Sequence, residues 1–305
     1  IVAHTFPLIG NYGVNAEDNE AAKPAASGMV VREWCNTPSG FRSEGNINDF
    51  LKKNNVVGIH SIDTRSLTRT LRDEGTMNGV ITTENVFEKK EEFLKKIADY
   101  KITNALENTS VKSAETFKAE KPLHNVVMVD YGYRNSIKNE LLKRGCNVTV
   151  VPYNTSADEI IKLSPDGIVL SNGAGNPEEY SEQIDVIKKL AETKIPMFGI
   201  ELGHQLLALS QGAKITKLKH GHRGASQPVI DLEKEQTYVT SQSHSFTVDG
   251  LSETVGKTIM KNDNDNSCEG IRYTKINAFS VEFDPVAHGG PYEFIFDDFV
   301  KMFAK

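Results

Sequence analysis

Long hydrophobic runs are missing from this chain. No apolar segment approaches 20 residues, so no transmembrane helix is expected. Cysteine is scarce: Cys35, Cys146 and Cys268 look unpaired, which argues against a disulfide scaffold and for a soluble protein in a reducing compartment, with the cytoplasm as the default. No basic stripe or block occurs. Against 35 basic residues stand 41 acidic ones, a net charge of -6, and nucleic acid is excluded as an expected partner. The Gly-rich segment Gly173-Ala-Gly175 lacks the Lys-Ser/Thr of a phosphate loop and the third Gly of a dinucleotide fingerprint, so no nucleotide site is expected. No internal repeat or low-complexity tract is evident. What is present is 38% hydrophobic residues in 305, enough for the cores of about two domains.

The first domain is expected over residues 1–116. Val56 to Ile59 reads as a short strand, Asp63 as the N-cap of a helix, Gly79 to Thr82 as a returning strand and Glu88 to Asp99 as an amphipathic helix. The charge-rich Glu88 to Lys96 has mixed signs at i,i+4 and is a solvated face. Polar, Lys-rich residues from Asn104 to Pro122 read as linker, with 117–123 as the joint proper. Residues 124–305 form the second domain. Apolar strands at Val126 to Val129, Val148 to Val151, Ile168 to Leu170 and Ile195 to Ile200 alternate with helical stretches such as Arg134 to Arg144 and Ala157 to Leu163. That pattern predicts an α/β fold with a central, mostly parallel sheet covered by helices. Tyr292 to Phe303 closes the chain as a helix whose aromatics belong to the core.

The segment Pro196 to Gln205 is a strand running into a helix, with Gly199 and Gly203 flanking Glu201. This is the spacing of a nucleophile elbow, in which a strained turn exposes its central side chain above free helix N–H groups. An ordinary strand-to-helix junction fits the same five residues. Glu201 would be a poor nucleophile toward an amide, because attack would give a mixed anhydride. Gly173, Gly175, Glu201, His244 and Asp284 are all expected just beyond strand ends, where sites lie in such sheets.

Four segments, Asp166 to Pro177, Pro196 to Gln205, Tyr238 to Phe246 and Ala278 to Pro285, together resemble the class I (triad) glutamine amidotransferase domain. Ile9 to Gly13, Gly58 to Arg69, Asp130 to Asn135, Arg144 to Pro152, Leu202 to Leu209 and Gly221 to Gly224 narrow the resemblance to the small, glutaminase chain of carbamoyl-phosphate synthetase. It covers nearly the whole chain in order, except that roughly the first fifty residues of the family pattern have no counterpart. One of the family's glutamine-contacting serines would lie in that piece.

The resemblance implies a subunit that releases ammonia from glutamine and passes it through a tunnel to a large ATP-using subunit, for arginine and pyrimidine synthesis. It implies no cofactor in this chain, with ATP and Mg only on the large partner. It also implies a glutamine site at Gly173, Gly175, Leu202, Gln205, Ser243, Ser245 and Phe246. The family elbow reads Gly-Ile-Cys-Leu-Gly, and its last strand ends His-Pro-Glu. Here the nucleophile position is Glu201, the His position Asp284 and the Glu position Val286. Thiolate attack, base activation and base orientation are all lost, so the expectation is a homologue without glutaminase activity. The alternative is a structural or regulatory subunit that binds the large chain or an altered small ligand.

In the family geometry Glu201 and Asp284 would face each other, and two carboxylates ~4 Å apart repel by ~4 kcal/mol at an effective dielectric near 20. One must be protonated or a cation must neutralise them. His204, His244 and His288 are the candidate neighbours. His204 and His244 are expected to keep structural hydrogen bonds and His288 to be solvated, and no metal site is specified by spacing.

Overall fold

The computed structural model describes residues 1–286, 292 and 294–303. The chain divides into two compact units, Ile1–Ile102 and Thr103–Lys305. In the first, strands β1 (Val2–Ala3), β3 (Gly28–Val30) and β5 (Val57–Ile59) form a parallel sheet in the order β1-β3-β5, while β2 (Leu8–Ile9) pairs with β4 (Glu33–Trp34). Helix α1 (Ile47–Lys53) starts at Asn46. Helix α2 (Thr64–Glu74) starts where the sequence places it, with the Asp63 carboxylate accepting from the Ser66 N–H at 2.9 Å. Helix α3 (Lys90–Asp99) is the charged amphipathic helix.

The second unit is built on a ten-stranded sheet. After α4 (Ala105–Thr109) come β6 (Glu115–Phe117), β7 (His124–Asp130), α5 (Asn135–Lys143), β8 (Cys146–Pro152), α6 (Ala157–Lys162), β9 (Gly167–Leu170), α7 (Ser181–Glu192), β10 (Met197–Ile200) and α8 (Leu202–Ser210). Then follow the long strands β11 (Lys214–Asp231) and β12 (Gln236–Asp249), β13 (Gly256–Asn262), β14 (Cys268–Tyr273), β15 (Ala278–Val281) and helix α9 (Phe294–Val300). The order is β12-β11-β13-β14-β15-β10-β9-β7-β8-β6. From β8 to β15 the pairing is parallel, the expected central block, with β9 and β10 buried along their whole length. Burial on both faces explains the continuous apolar runs of these strands. Phe296, Phe299 and Phe303 pack into that core around Phe198, as the closing-helix reading anticipates.

Three segments differ from the sequence reading. Gly79 to Thr82 carries no strand. The stretch read as linker instead contains α4 and β6, and β6 pairs antiparallel with β8, so the second sheet recruits residues assigned above to the first domain. Its Thr and Phe side chains suit a pleated edge even though the surroundings are Lys-rich. Finally, His244 lies inside β12, not beyond a strand end. The β11 to β14 arm is antiparallel and polar, which hid β11, β13 and β14 from an apolar-run search, whereas Tyr238 to Phe246 is legible as a strand and lies in β12.

Candidate active site

Glu201 sits between β10 and α8 with φ 48° and ψ -110°, the strained backbone of a nucleophile elbow. Two glycines make the turn possible. A Cβ on Gly203 would fall 2.1 Å from the Leu170 carbonyl oxygen, and one on Gly199 would fall 2.7 Å from the Gly203 oxygen. The helix is tied down by Gly203 N–H to Ser171 O at 3.1 Å and the turn by Glu201 N–H to Val281 O at 2.9 Å. Burial of Leu202, Leu206 and Leu207 anchors α8 against the sheet.

The Gly-rich turn after β9 meets the elbow directly. A Cβ at Gly173 would collide with the Tyr131 oxygen at 2.5 Å and with Leu202 Cδ2 at 2.8 Å, so only glycine permits this approach. Gly175 has φ +106°, and Tyr180 donates its hydroxyl to Ala174 O at 2.9 Å across the same turn.

Arg134 is the cation at this site. Asp130, buried at the end of β7, accepts from the Gly132 and Tyr133 N–H groups and so shapes the turn that presents Arg134 at the start of α5. Arg134 Nη1 forms an ion pair with Asp284 Oδ2. Asp284 itself is buried at 2% exposure, held by its N–H to Ser241 O at 3.0 Å and by the Val286 N–H donating to its Oδ1 at 2.9 Å. Among the described residues Arg134 supplies this charge and neither His204 nor His244 does, while His288 lies outside the described residues. The Arg134 match is visible in Asp130 to Asn135, but its pairing with a residue 150 positions away is not.

Burial pushes the Glu201 carboxyl up to about 7, partly opposed by the positive field of Arg134. The two carboxylates therefore share one guanidinium: Asp284 by direct contact, Glu201 through its field. Near neutral pH Glu201 is a weak acid-base group with no thiol chemistry, and Val286 offers no side-chain polar atom.

The residues assigned to glutamine divide. Gln205 turns inward, its Nε2 donating to Glu282 Oε1 at 2.7 Å. Ser243 is exposed on β12, and Ser245 Oγ accepts from Arg223 Nη2 at 2.6 Å. Phe246 is half-buried, its carbonyl accepting from His244 Nδ1 at 2.7 Å. His204 is fully buried and bonded through Nδ1 to Ser280 Oγ at 2.7 Å, the structural role expected of it. Beneath them lies a polar cluster that the sequence reading missed: Glu282, Glu269 and His222, all buried. Glu282 stands in the segment Ala278 to Pro285, but nothing in a single carboxylate signals burial.

Residues 127–302 match the family Glutamine amidotransferase class-I, and residues 1–81 match Carbamoyl-phosphate synthase small chain, CPSase domain. The carbamoyl phosphate synthase small chain of Fusobacterium nucleatum is 44% identical over 307 residues, covering 99% of this chain and 84% of the relative. This chain belongs to the carbamoyl-phosphate synthase small chain family. The corresponding small chain of Bacillus cereus is 43% identical, with 99% and 82% covered. A solved GMP synthase subunit from Thermoplasma acidophilum superposes with a TM-score of 0.54 at 22% identity, covering 59% of this chain and 94% of that one, a likeness of fold. At this elbow Gly199 and Gly203 flank Glu201, with Asp284 and Val286 beyond the last strand of the sheet.

Proposed function

We propose that this chain is the amidotransferase-type subunit of a carbamoyl-phosphate synthase in which glutamine hydrolysis is silent. The supporting observation is the Arg134–Asp284 ion pair beside an elbow that carries Glu201. A cysteine-dependent glutaminase needs a thiolate at the elbow and a base that can take and return a proton. Here a carboxylate stands at the first position and a carboxylate committed to a guanidinium at the second. The scaffold remains available to dock a large, ATP-using synthetase subunit, and ATP and Mg belong to that partner. Carbamoyl phosphate would then be made from free ammonia, or under control of whatever the altered pocket binds.

Ammonia release from glutamine tests the reading, with the chain alone and with a family large subunit. No turnover is expected from the native chain; steady release of ammonia from it would overturn the proposal. A Glu201→Cys plus Asp284→His plus Val286→Glu variant, assayed alongside, reports whether the remaining pocket still accepts glutamine.

A further inference from the structure

The antiparallel arm brings two histidines and a carboxylate to one buried point. His222 and His244 are direct cross-strand partners on β11 and β12, and Glu269 projects from β14. Their ligand atoms lie within 4.8 Å of one another, and all three residues are buried. Register shifts between Lys217 and His222 and between Gly224 and Gln227 bracket this point on β11. Such irregularities re-aim a side chain, and here they turn His222 inward while Arg223 faces out.

The hydrogen bonds fix which ring nitrogens face the centre. His222 Nε2 donates to Asp265 Oδ2 at 2.9 Å, and His244 Nδ1 donates to the Phe246 carbonyl at 2.7 Å. In the neutral rings the opposite nitrogens, His222 Nδ1 and His244 Nε2, then direct lone pairs inward, at 3.4 and 4.0 Å from the same oxygen, Glu269 Oε1. Burial opposes a charge on His222, while the Glu269 and Asp265 carboxylates on its two sides favour one. Gln242 Oε1 stands 3.0 Å from His244 Nε2, a fourth acceptor facing the same gap. The nearest donors reach this group only at long range: Asn262 Nδ2 stands 3.4 Å from His222 Nδ1 and 3.5 Å from Glu269 Oε1, and Ser267 Oγ 3.4 Å from Glu269 Oε1. With both rings neutral, three acceptors face one point with Gln242 Oε1 beside His244, all poorly supplied with protons. An added proton on His222 would serve that ring and Glu269, whereas a divalent cation would serve both rings and the carboxylate at once. Ligands ~2.1 Å from a tetrahedral zinc stand about 3.4 Å apart, close to the separations present.

We propose that His222 Nδ1, His244 Nε2 and Glu269 Oε1 form a structural binding site for one borderline divalent ion of the Zn²⁺ class, completed by Gln242 Oε1. The outer shell has the form that metal histidines take, with a carboxylate behind one ring and a backbone carbonyl behind the other. Nitrogen and oxygen donors in a small closed site suit zinc better than calcium or magnesium. Asp265, which accepts from His222 Nε2, also lines a cleft of about 380 Å³ with Thr247, Ser267 and Cys268. The ion would join β11, β12 and β14, three strands linked here by polar side chains. Its role is independent of glutamine hydrolysis.

The full chain, stripped with chelator and titrated with Co²⁺, provides the test. One ion per chain should bind, with the intense visible bands of tetrahedral cobalt, and Zn²⁺ should displace it. Glu269→Gln and His222→Gln should each weaken binding about 10–100-fold or more, whereas His220→Ala, on an exposed neighbouring histidine, should not. Circular dichroism of the stripped variants controls for folding. Absence of stoichiometric binding at micromolar Zn²⁺ would overturn the proposal. Binding undiminished in folded Glu269→Gln and His222→Gln would also overturn it, by placing the ion elsewhere.

Discussion

The elbow and the antiparallel arm solve burial in opposite ways. Along β10 and the first turns of α8 the buried groups are chiefly apolar side chains and backbone satisfied by backbone. In the arm, His222, Gln242, His244, Asn262 and Glu269 are buried, and their polar neighbours are largely one another. The turn is thus held by groups other than the side chain at its tip, so position 201 can change its chemistry without losing the turn, even though a charge there costs stability. The arm has no such freedom, because its polar groups are themselves the contacts between strands.

The strongest way to break the elbow is steric. Gly203→Ala would drive a methyl against the Leu170 carbonyl, backbone that cannot yield. A loss of about 3 kcal/mol or more is expected, at the upper end of overpacking costs, and a urea titration measures it.

Next comes charge at the elbow tip. The Glu201 carboxyl is raised from 4.5 to about 7 in the folded chain, so its contribution to stability is complete below pH 4.5 and is lost as pH rises through 7. The loss is up to about 3 kcal/mol. Glu201→Gln should remove that slope and exceed the native chain in stability at pH 8, while matching it near pH 4. Parallel slopes in the two proteins would show that Glu201 titrates normally.

Arg134→Gln should cost about 2 kcal/mol, less than breaking a fully enclosed pair because Arg134 is 36% exposed. It strands the Asp284 charge in a site with 3% exposure. Adding Asp284→Asn should restore most of the loss in a double-mutant cycle. The same substitution should move the Glu201 titration further up, since the field opposing its burial is gone.

The sequence reveals the elbow because its signals are local: apolar runs, two glycines at fixed spacing and a helix that starts at once. It reveals the parallel block for the same reason. Most of the arm stays hidden, β11 because Lys214–Asp231 is rich in lysine, histidine, serine and glutamine with no apolar period. Arg134 is legible as part of a motif but not as the partner of Asp284, and residue type alone favours histidines in its place. Val286 donates its N–H to Asp284, a contact that any residue but proline would make.

The smallest effect tests the seam where the arm meets the elbow helix, at Glu282 just after β15. Glu282 is fully buried, and burial raises its carboxyl well above the ordinary range, with Glu269 and Glu201 adding to the rise. Its Oε1 accepts from Gln205, but Oε2 and the His204 Nε2 that faces it at 3.6 Å both lack a hydrogen-bond partner. His204, lowered to about 3 by burial, is neutral, and with its Nδ1–H given to Ser280 Oγ it offers a lone pair at Nε2. Glutamine has the same shape: its oxygen keeps the Gln205 bond while its amide donates to His204. Glu282→Gln should therefore stabilise the chain by about 1 kcal/mol. The sign with pH follows, because the native contribution is complete below the ordinary carboxyl range and is lost as pH rises through the raised value. Calorimetry at pH 5 and pH 9, with chelator present, should show the gap in favour of the variant widening upward. A variant less stable than the native chain at both values would mean that the seam needs the Glu282 carboxyl itself, and the contrast with the elbow would then rest on charge rather than on shape.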